Sequence, residues 1–342
     1  MKSIVLYLQL IQLVVGCPWW WCPDPNPPQK LPSYGADPTQ VSVSGVSSGG
    51  YMAIQMHVAY SSSVMGSGIF AAGPYHCAEG STMKALGACM SRPQEISVQD
   101  LIDFTDNAAQ TGDIDPVSDF AKGKTWLFSG TQDSTVDQGV MVALEEYCAH
   151  YMPAASILTD FTTPAGHATI TDHYGNGCSA GRRPWINNCD IPCAYILLNH
   201  IYGGTLSKPP VYGGELPGQM ITFDQTELEP SPYLGITSLD EMGYVYVPSG
   251  CIDTPGCKVH ISVHGCLQGR HNLDEEYVIN SGYNEVAEAN NIIMIWPQAE
   301  PALGNTNGCW DWWGYTDSSY DIKSGVQMRF MKNIIDRVTS PI

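Results

Sequence analysis

A short glycine-rich segment, GVSSG at residues 45–49, places Ser47 at the centre of a G-x-S-x-G pattern. The residues before it, QVSVSG, predict a short strand, and the residues after it, YMAIQMHVAYSS, carry apolar side chains at helical spacing. Glycines allow a tight turn from strand to helix, and the helix N-terminus favours negative charge that develops at the serine. Ser47 is therefore the predicted nucleophile, with a plain strand-ending turn as the alternative.

A serine hydroxyl needs a histidine base, and the base needs a carboxylate that orients it. Asp133 lies in GTQDSTV, where the predicted strand TWLFSG ends, and His167 follows the predicted strand and loop ASILTDFTTPAG. The chain order serine, aspartate, histidine is the order found in α/β-hydrolases. We therefore predict Asp133 as the orienting acid and His167 as the base.

Other acidic and histidine residues compete for these two roles. His173 also lies in loop-like sequence, six residues after His167, and Asp172 is a further candidate carboxylate. Asp137 is another, but it precedes a predicted helix, where an acidic residue favours capping. His76 lies early in the chain, after AAGPY, and is interpreted as structural.

Acyl transfer also needs two backbone N–H groups that bind the oxyanion. The residue after the nucleophile, Ser48, supplies one of them. The second usually follows an HG dipeptide at the end of an apolar strand, and VHISVHGC at residues 259–266 has this form. His264 and Gly265 then place the N–H of Cys266 as the second donor. The alternative is that His264 is a buried histidine at a strand end.

Predicted strands alternate with predicted helices along the chain, which favours a mostly parallel α/β sheet with flanking helices. The HG strand normally precedes the nucleophile strand, but here it follows it by some two hundred residues. Joining the end of the chain to its start restores the usual order: HG strand, IIMIWPQA strand, closing helix VQMRFMKNIIDRV, then VSVSGVSSGG. The sequence therefore predicts a circularly permuted α/β-hydrolase.

Composition limits the partners of the 342-residue chain. Aspartate and glutamate outnumber lysine and arginine by 34 to 15, for a net charge of −19. A protein that binds phosphate backbones needs the opposite balance, so nucleic acids and anionic membranes are not expected partners. A neutral or apolar substrate fits better. We expect a monomer with one catalytic domain at residues 39–342, preceded by a proline- and tryptophan-rich segment at residues 17–38.

The first sixteen residues, MKSIVLYLQLIQLVVG, have the lysine, apolar run and small final residue of a secretory signal peptide. This run is too short for a membrane span, and no other segment predicts one. VVGC at residues 14–17 also resembles a lipoprotein cleavage box, with Cys17 as the lipid acceptor. We expect a secreted protein, with a lipid anchor as the alternative.

Twelve cysteines in an exported chain predict disulfide bonds. The zinc alternative is weaker, because Cys189 and Cys193 lie four residues apart without a second pair at zinc-finger spacing. No metal is expected. Several cysteines lie close in sequence: Cys77 with Cys89, Cys178 with Cys189, and Cys251 with Cys257.

Seven stretches of the chain resemble, in the same order, stretches of the extracellular poly(3-hydroxybutyrate) depolymerases, in particular the fungal single-domain type with a permuted α/β-hydrolase fold. The resemblance covers nearly all of residues 39–335. It departs from the fungal pattern after His167, where HATITD lacks the expected aromatic residue. The matching stretches, in order, are VSVSGVSSGGYMA, FAAGPYHCA, GTQDSTV, GYVYVPSGC, HGCLQ, WPQA and NGCWDWWG.

The resemblance implies the site residues and the disulfide pairs. It implies Ser47 as nucleophile, Asp133 as acid and His167 as base, with an oxyanion hole from the N–H groups of Ser48 and Cys266. It implies Trp310 as the wall of a substrate crevice, while Trp312 and Trp313 either join it or pack inside. The implied disulfides are Cys77–Cys89, Cys178–Cys189, Cys251–Cys257 and Cys266–Cys309, and a bond between the remaining Cys148 and Cys193 is a guess.

The expected function is therefore that of a secreted serine esterase that cleaves a polyester, polyhydroxybutyrate or its short oligomers, through an acyl-enzyme and without a cofactor. A feruloyl or acetyl-xylan esterase is an alternative, because it shares the fold class and the serine chemistry. A catalytically silent secreted binding protein, with tryptophans as its contact surface, is a second alternative.

Overall fold

A computed structural model describes residues 28–210, 212–230 and 236–342 of the protein. The predicted signal peptide, Cys17, Cys22 and the N-terminal tryptophans lie outside these residues. Within the described part of the chain, no helix has the length and apolar character that a membrane crossing requires.

Strands and helices follow one another through the described residues. The strands are β1 (Gln29–Lys30), β2 (Val41–Val46), β3 (Gly66–Phe70), β4 (Lys124–Phe128), β5 (Ile157–Asp160), β6 (Thr169–Thr171), β7 (Asn176–Gly177), β8 (Ile186–Asn188), β9 (Gln219–Asp224), β10 (Met242–Val247), β11 (Lys258–Val263) and β12 (Ile292–Trp296). The α-helices are α1 (Ser48–Ala59), α2 (Thr82–Leu86), α3 (Val98–Thr111), α4 (Val117–Phe120), α5 (Gln138–Tyr151), α6 (Cys193–Ile201), α7 (Arg270–Leu273), α8 (Glu276–Asn280), α9 (Tyr283–Asn290) and α10 (Val326–Thr339).

A nine-stranded sheet, in the order β1-β9-β10-β12-β11-β2-β3-β4-β5, forms the centre of the described structure. The six strands from β12 to β5 are parallel, and β10 is antiparallel to both of its neighbours. Every residue of β2 and of β12 is buried, which is typical of parallel strands covered on both faces. This is the mostly parallel α/β architecture that the sequence predicts.

Helices cover both faces of this sheet and enclose two apolar cores. Helices α1, α3, α5 and α10 contribute to the core on one face, and α6 and α9 contribute to the core on the other. Successive side chains of a strand point to opposite faces. Val43 of β2 accordingly joins the first core, whereas Val46 joins the second.

The two ends of the described chain lie side by side, as a circular permutation requires. The N–H groups of Tyr34 and Ala36 both donate to the carbonyl of Val338, at the end of α10, over 3.2 Å. Leu31 and Ala36 are almost fully buried. The last part of the proline-rich segment therefore packs against the domain and is not a free lead-in.

A small second sheet, β6-β8-β7, lies between β5 and α6 in the chain and was not predicted from the sequence. Its strands are only two or three residues long, too short for a period of two to be recognised. The stretch EYVINSGYNEVAEANN reads as helical in sequence, but it forms two helices, α8 and α9. The break lies at Gly282, whose φ of 83° is outside the helical range.

Four disulfides are formed between the pairs that the resemblance implies: Cys77–Cys89, Cys178–Cys189, Cys251–Cys257 and Cys266–Cys309. The guessed bond between Cys148 and Cys193 is wrong, because both thiols are free and buried. Cys148 belongs to the core on one face of the sheet and Cys193 to the core on the other. The sheet itself separates them.

Candidate active site

Ser47 lies at the turn between β2 and α1, with an unusual backbone conformation. Its φ of 56° and ψ of −122° lie outside the regions that side chains prefer, so the surrounding structure must hold it there. Its N–H donates to the Phe70 carbonyl over 2.9 Å, and its carbonyl accepts the N–H of Tyr51 over 3.0 Å. These bonds tie Ser47 to β3 on one side and to α1 on the other.

The glycines beside Ser47 are required by close backbone contacts. A Cβ atom on Gly45 would lie 2.2 Å from the carbonyl oxygen of Gly49, and one on Gly49 would lie 2.1 Å from that of Val263. No side chain fits at either position without a backbone shift. The glycines therefore let α1 pack directly against β2 and β11, which is the geometry of an elbow between strand and helix.

His167 and Asp133 form a hydrogen-bonded pair. Nδ1 of His167 lies 2.7 Å from Oδ2 of Asp133, and both side chains are largely shielded from solvent. The other oxygen of Asp133 accepts the backbone N–H groups of Thr135 and Val136 over 2.8 and 3.0 Å. A carboxylate held in this way keeps the histidine proton on Nδ1 and leaves Nε2 as the basic nitrogen.

The competing residues have other partners. Nδ1 of His173 lies 3.2 Å from Asp172, its own neighbour in the chain. Asp137 caps α5, as its position predicts, by accepting the N–H of Gly139 over 2.8 Å. Nδ1 of His76 lies 2.5 Å from the Asp321 carboxylate. None of the four candidates is among the described residues that line the cavity beside Ser47.

The HG dipeptide lies directly against the serine turn. Strands β11 and β2 are paired with Val263 opposite Gly45, so His264 and Gly265 leave the sheet beside the elbow. A Cβ atom on Gly265 would lie 3.4 Å from the Cβ of Ser47. The N–H of Cys266 donates no hydrogen bond within the described part of the chain, and Ser48 begins helix α1. Both are where oxyanion donors are expected.

His264 itself is a buried residue of the strand end, the alternative that the sequence left open. Its Nε2 accepts the N–H of Ala299 over 3.0 Å, so the proton lies on Nδ1 and is donated to the Gly265 carbonyl over 2.7 Å. Burial lowers the pKa of His264 to about 4. The ring is therefore neutral and holds the main chain around Gly265.

A cavity of about 460 Å³ lies over Ser47, His167 and Cys266. This volume is large enough for a short oligomer, and the apolar walls of the cavity favour an apolar ligand. Among the described residues, no group of three histidine, cysteine, aspartate or glutamate side chains has the arrangement of metal ligands. The apolar walls of the cavity come from distant parts of the chain: Leu86, Met90, Trp185, Leu267, Trp312 and Trp313.

The resemblance implies Trp310 as the wall of the substrate crevice, but the structure places Trp310 elsewhere. Trp310 is fully buried and packs against the ring of His264, with 5.6 Å between ring centroids. Trp312 stacks on Tyr51 at 3.9 Å, and one side of it reaches the cavity together with the half-buried Trp313. The adjacent tryptophans thus divide between core and cavity.

Sequence reasoning missed several residues of the cavity, among them Leu86, Met90 and Trp185. Leu86 lies on the short helix α2, and Trp185 precedes β8 of the small sheet. Trp185 supplies an aromatic ring at this cavity, although the expected aromatic after His167 is missing. No local pattern marks these residues, because only the tertiary fold brings them to Ser47.

Comparison with known proteins gives two related enzymes. A poly(3-hydroxybutyrate) depolymerase of Delftia acidovorans is 43% identical over 315 residues, 91% of this chain. The chain spans only 62% of that relative's own length. A polyhydroxybutyrate depolymerase of Talaromyces funiculosus is 34% identical over 326 residues, which are 91% of this chain and 92% of the relative. No protein-family model matches the chain.

Two solved structures share the fold. The crystal structure of a PHB depolymerase from Penicillium funiculosum has a TM-score of 0.81 and 33% sequence identity, and the match covers 91% of this chain and 99% of the other. A PHB depolymerase with a serine-to-alanine substitution, complexed with an R3HB trimer, matches over the same shares with a TM-score of 0.82 and 33% identity. With its sheet, its serine turn and these relatives, the chain belongs to the polyhydroxybutyrate depolymerase family.

Proposed function

We propose that the protein is a secreted, monomeric serine esterase that hydrolyses the ester bonds of polyhydroxybutyrate or its oligomers. One observation carries this proposal: Ser47 in its strained turn and His167, whose Nδ1 lies 2.7 Å from Oδ2 of Asp133, line one cavity. The membership of the family and the four disulfides, which fit an exported protein, support it.

In the first half of the reaction, Nε2 of His167 removes the proton from the Ser47 hydroxyl as Oγ attacks the ester carbonyl carbon. The carbonyl oxygen becomes an oxyanion that the N–H groups of Ser48 and Cys266 stabilise. The bond to the alcohol oxygen then breaks, and His167 returns its proton to that oxygen. An acyl ester on Ser47 and a free alcohol end result.

In the second half, a water molecule takes the place of the alcohol. His167 removes a proton from the water, whose oxygen attacks the acyl carbon and forms a second oxyanion on the same two donors. The bond to Ser47 breaks, its oxygen recovers the proton from His167, and the carboxylic acid leaves. The protein supplies every proton transfer itself.

The walls of the cavity support a polyester of small repeating units. Trp312, Trp313 and Trp185 present flat apolar surfaces, which suit a chain of alternating methyl and ester groups. The R3HB trimer in the related structure is an oligomer of this kind. Feruloyl and acetyl-xylan esters are the competing substrates, and a silent binding protein is the competing function.

The test is release of hydroxybutyrate from an amorphous polyhydroxybutyrate suspension by wild type and by Ser47→Ala. We expect Ser47→Ala to lose at least about 10⁴-fold in kcat, whereas Ser207→Ala, a control at an exposed serine, keeps its activity. Release of ferulate or acetate, without clearing of the polyhydroxybutyrate suspension, would show that the protein is a feruloyl or acetyl-xylan esterase. No Ser47-dependent hydrolysis of any ester, including p-nitrophenyl butyrate, would contradict the proposal. Size-exclusion chromatography tests whether the protein is a monomer in solution.

A further inference from the structure

The residues after the HG dipeptide form a tight turn, which we call the oxyanion turn: Gly265, Cys266, Leu267 and Gln268. The N–H of Gln268 donates to the Gly265 carbonyl over 3.2 Å and closes the turn. Leu267, at the third position, has a φ of 61°, which characterises a type II turn and normally favours glycine. The turn is therefore strained and needs external bonds to keep its form.

Gln268 supplies such bonds with both halves of its side chain. Oε1 accepts the N–H of Gly265 over 2.8 Å, so Gln268 binds both the N–H and the carbonyl of that glycine. The carbonyl of Gly265 and the N–H of Cys266 belong to one planar peptide and point in opposite directions. Oε1 of Gln268 fixes the peptide before Gly265, while the Gln268 N–H and Nδ1 of His264 both donate to the Gly265 carbonyl. Together these bonds fix the direction in which the Cys266 N–H points.

The other half of the carboxamide reaches a different part of the cavity. Nε2 of Gln268 donates to the carbonyls of Pro184 and Trp185 over 3.1 and 2.9 Å. Trp185 has a φ of 54°, an unfavourable value for a side chain of its size, and it lines the cavity. Gln268 is only 2% exposed, so its carboxamide is satisfied by these main-chain groups and not by bulk water.

We propose that Gln268 is a positioning residue for ester hydrolysis: its carboxamide holds the Cys266 N–H toward the oxyanion and fixes the Trp185 wall of the cavity. Oε1 performs the first task and Nε2 the second. The inference rests on the proposed function, because it concerns the same oxyanion and the same cavity.

Two substitutions and one matched control test this role. Gln268→Met removes both halves, and we expect kcat for p-nitrophenyl butyrate to fall about 10- to 100-fold, since a misdirected donor stabilises the oxyanion less. Gln225→Met is the control. Gln225 is also buried and binds the main chain of Asp240 and Gln298, but these residues do not line the cavity. It should lose thermal stability and keep kcat within about twofold.

Gln268→Glu separates positioning from a merely structural role through pH. A neutral carboxylic acid has one acceptor oxygen and one O–H donor, as the carboxamide has an acceptor and a donor, whereas the carboxylate cannot donate to Pro184 and Trp185. The ratio of kcat/KM in this variant to that in wild type should therefore rise as pH falls. At neutral pH, KM for a hydroxybutyrate trimer should increase.

Three results would decide against the inference or its basis. A kcat for Gln268→Met equal to that of Gln225→Met would overturn the inference alone, as would a Gln268→Glu to wild-type ratio that does not change with pH. A wild type without Ser47-dependent hydrolysis would instead overturn the proposed function, and this inference with it.

Discussion

The two oxygens of Asp133 have separate tasks in the proposed mechanism. Oδ2 faces Nδ1 of His167, while Oδ1 accepts two backbone N–H groups of its own loop. The loop bonds hold the carboxylate in place, and the histidine bond sets the position of the imidazole proton. A substitution that keeps the size of the side chain therefore tests the histidine bond.

Asp133→Asn should lower kcat about 10⁴-fold, because the amide favours the wrong histidine tautomer. The measurement is hydrolysis of p-nitrophenyl butyrate at saturating concentration. Asp137→Asn is the matched control, since Asp137 caps α5 and asparagine is an equally good cap. Similar kcat values for the two variants would remove Asp133 from the site.

The adjacent tryptophans allow a second test at the scale of single residues. Trp313→Ala should raise KM for a hydroxybutyrate trimer about fivefold, because it removes about 1 kcal/mol of aromatic contact in the cavity. Trp310→Phe should lower Tm and leave KM unchanged, because Trp310 is fully buried. The reverse pattern would restore Trp310 as the wall.

At the scale of elements, the segment that carries these rings contains no regular secondary structure and depends on one carboxylate. Asp311 is fully buried and accepts the N–H groups of Trp313, Gly314, Tyr315 and Thr316 over 2.8 to 3.2 Å. These bonds replace the ladder that a strand or helix would provide. The shape of the tryptophan wall therefore depends on Asp311.

Asp311→Ala should raise KM for the trimer at least about tenfold and alter the near-ultraviolet circular dichroism of the tryptophans, since buried N–H groups without acceptors cost about 1–3 kcal/mol each. Asp317→Ala is the control, because Asp317 accepts the N–H of Ser319 outside this segment. An unchanged KM in Asp311→Ala, with an unchanged spectrum, would contradict this role.

Three histidines in the described part of the chain are fully buried. Burial lowers the pKa of His57 and of His260 to about 3, and that of His264 to about 4. An unfolded histidine titrates near 6.5. As pH falls below that value the unfolded chain therefore takes up protons that the folded chain does not, and the free energy of unfolding decreases toward pH 4.

His57→Gln should reduce the slope of the free energy of unfolding against pH by up to about 1.4 kcal/mol per pH unit, which is the slope that one histidine contributes. The measurement is denaturant unfolding at pH 7, 6 and 5. His150→Gln, at an exposed histidine, is the control and should show the same slope against pH as wild type. Equal slopes for all three proteins would show that His57 is not buried in its neutral form.

Two exposed apolar side chains lie close in the chain to residues that line the cavity. Met83 is 84% exposed and lies on α2 beside Leu86, and Leu303 is 85% exposed beside Gly304. Leu86 and Gly304 both line the cavity. This surface suits contact with a solid polyester, because apolar side chains lose contact with water there.

Replacing Met83 and Leu303 together by serine should lower activity on a polymer suspension severalfold and leave kcat/KM for p-nitrophenyl butyrate unchanged. Each side chain contributes up to about 1.5–3 kcal/mol when it is fully covered. Ile252→Ser, at an exposed isoleucine away from the cavity, is the control. An equal loss on the soluble ester would show an effect on the cavity and not on adsorption.

Elements with a clear period, and the turn that carries Ser47, could be predicted from the sequence alone. Strands β2, β4, β11 and β12 and helices α1, α5 and α10 have clear apolar patterns, and all were predicted. The chain order of these elements also indicated the permutation, because the HG strand and the closing helix come last. Local propensity and turn chemistry act within a few residues, so one sequence is enough to find them.

Which side chains meet depends on the tertiary fold. It placed Trp310 in the core and Trp313 at the cavity, although only two residues separate them and their sequence surroundings are alike. It also brought Trp185 to Gln268 of the oxyanion turn and left Cys148 and Cys193 on opposite faces of the sheet. These outcomes depend on packing between distant segments, which no local pattern contains.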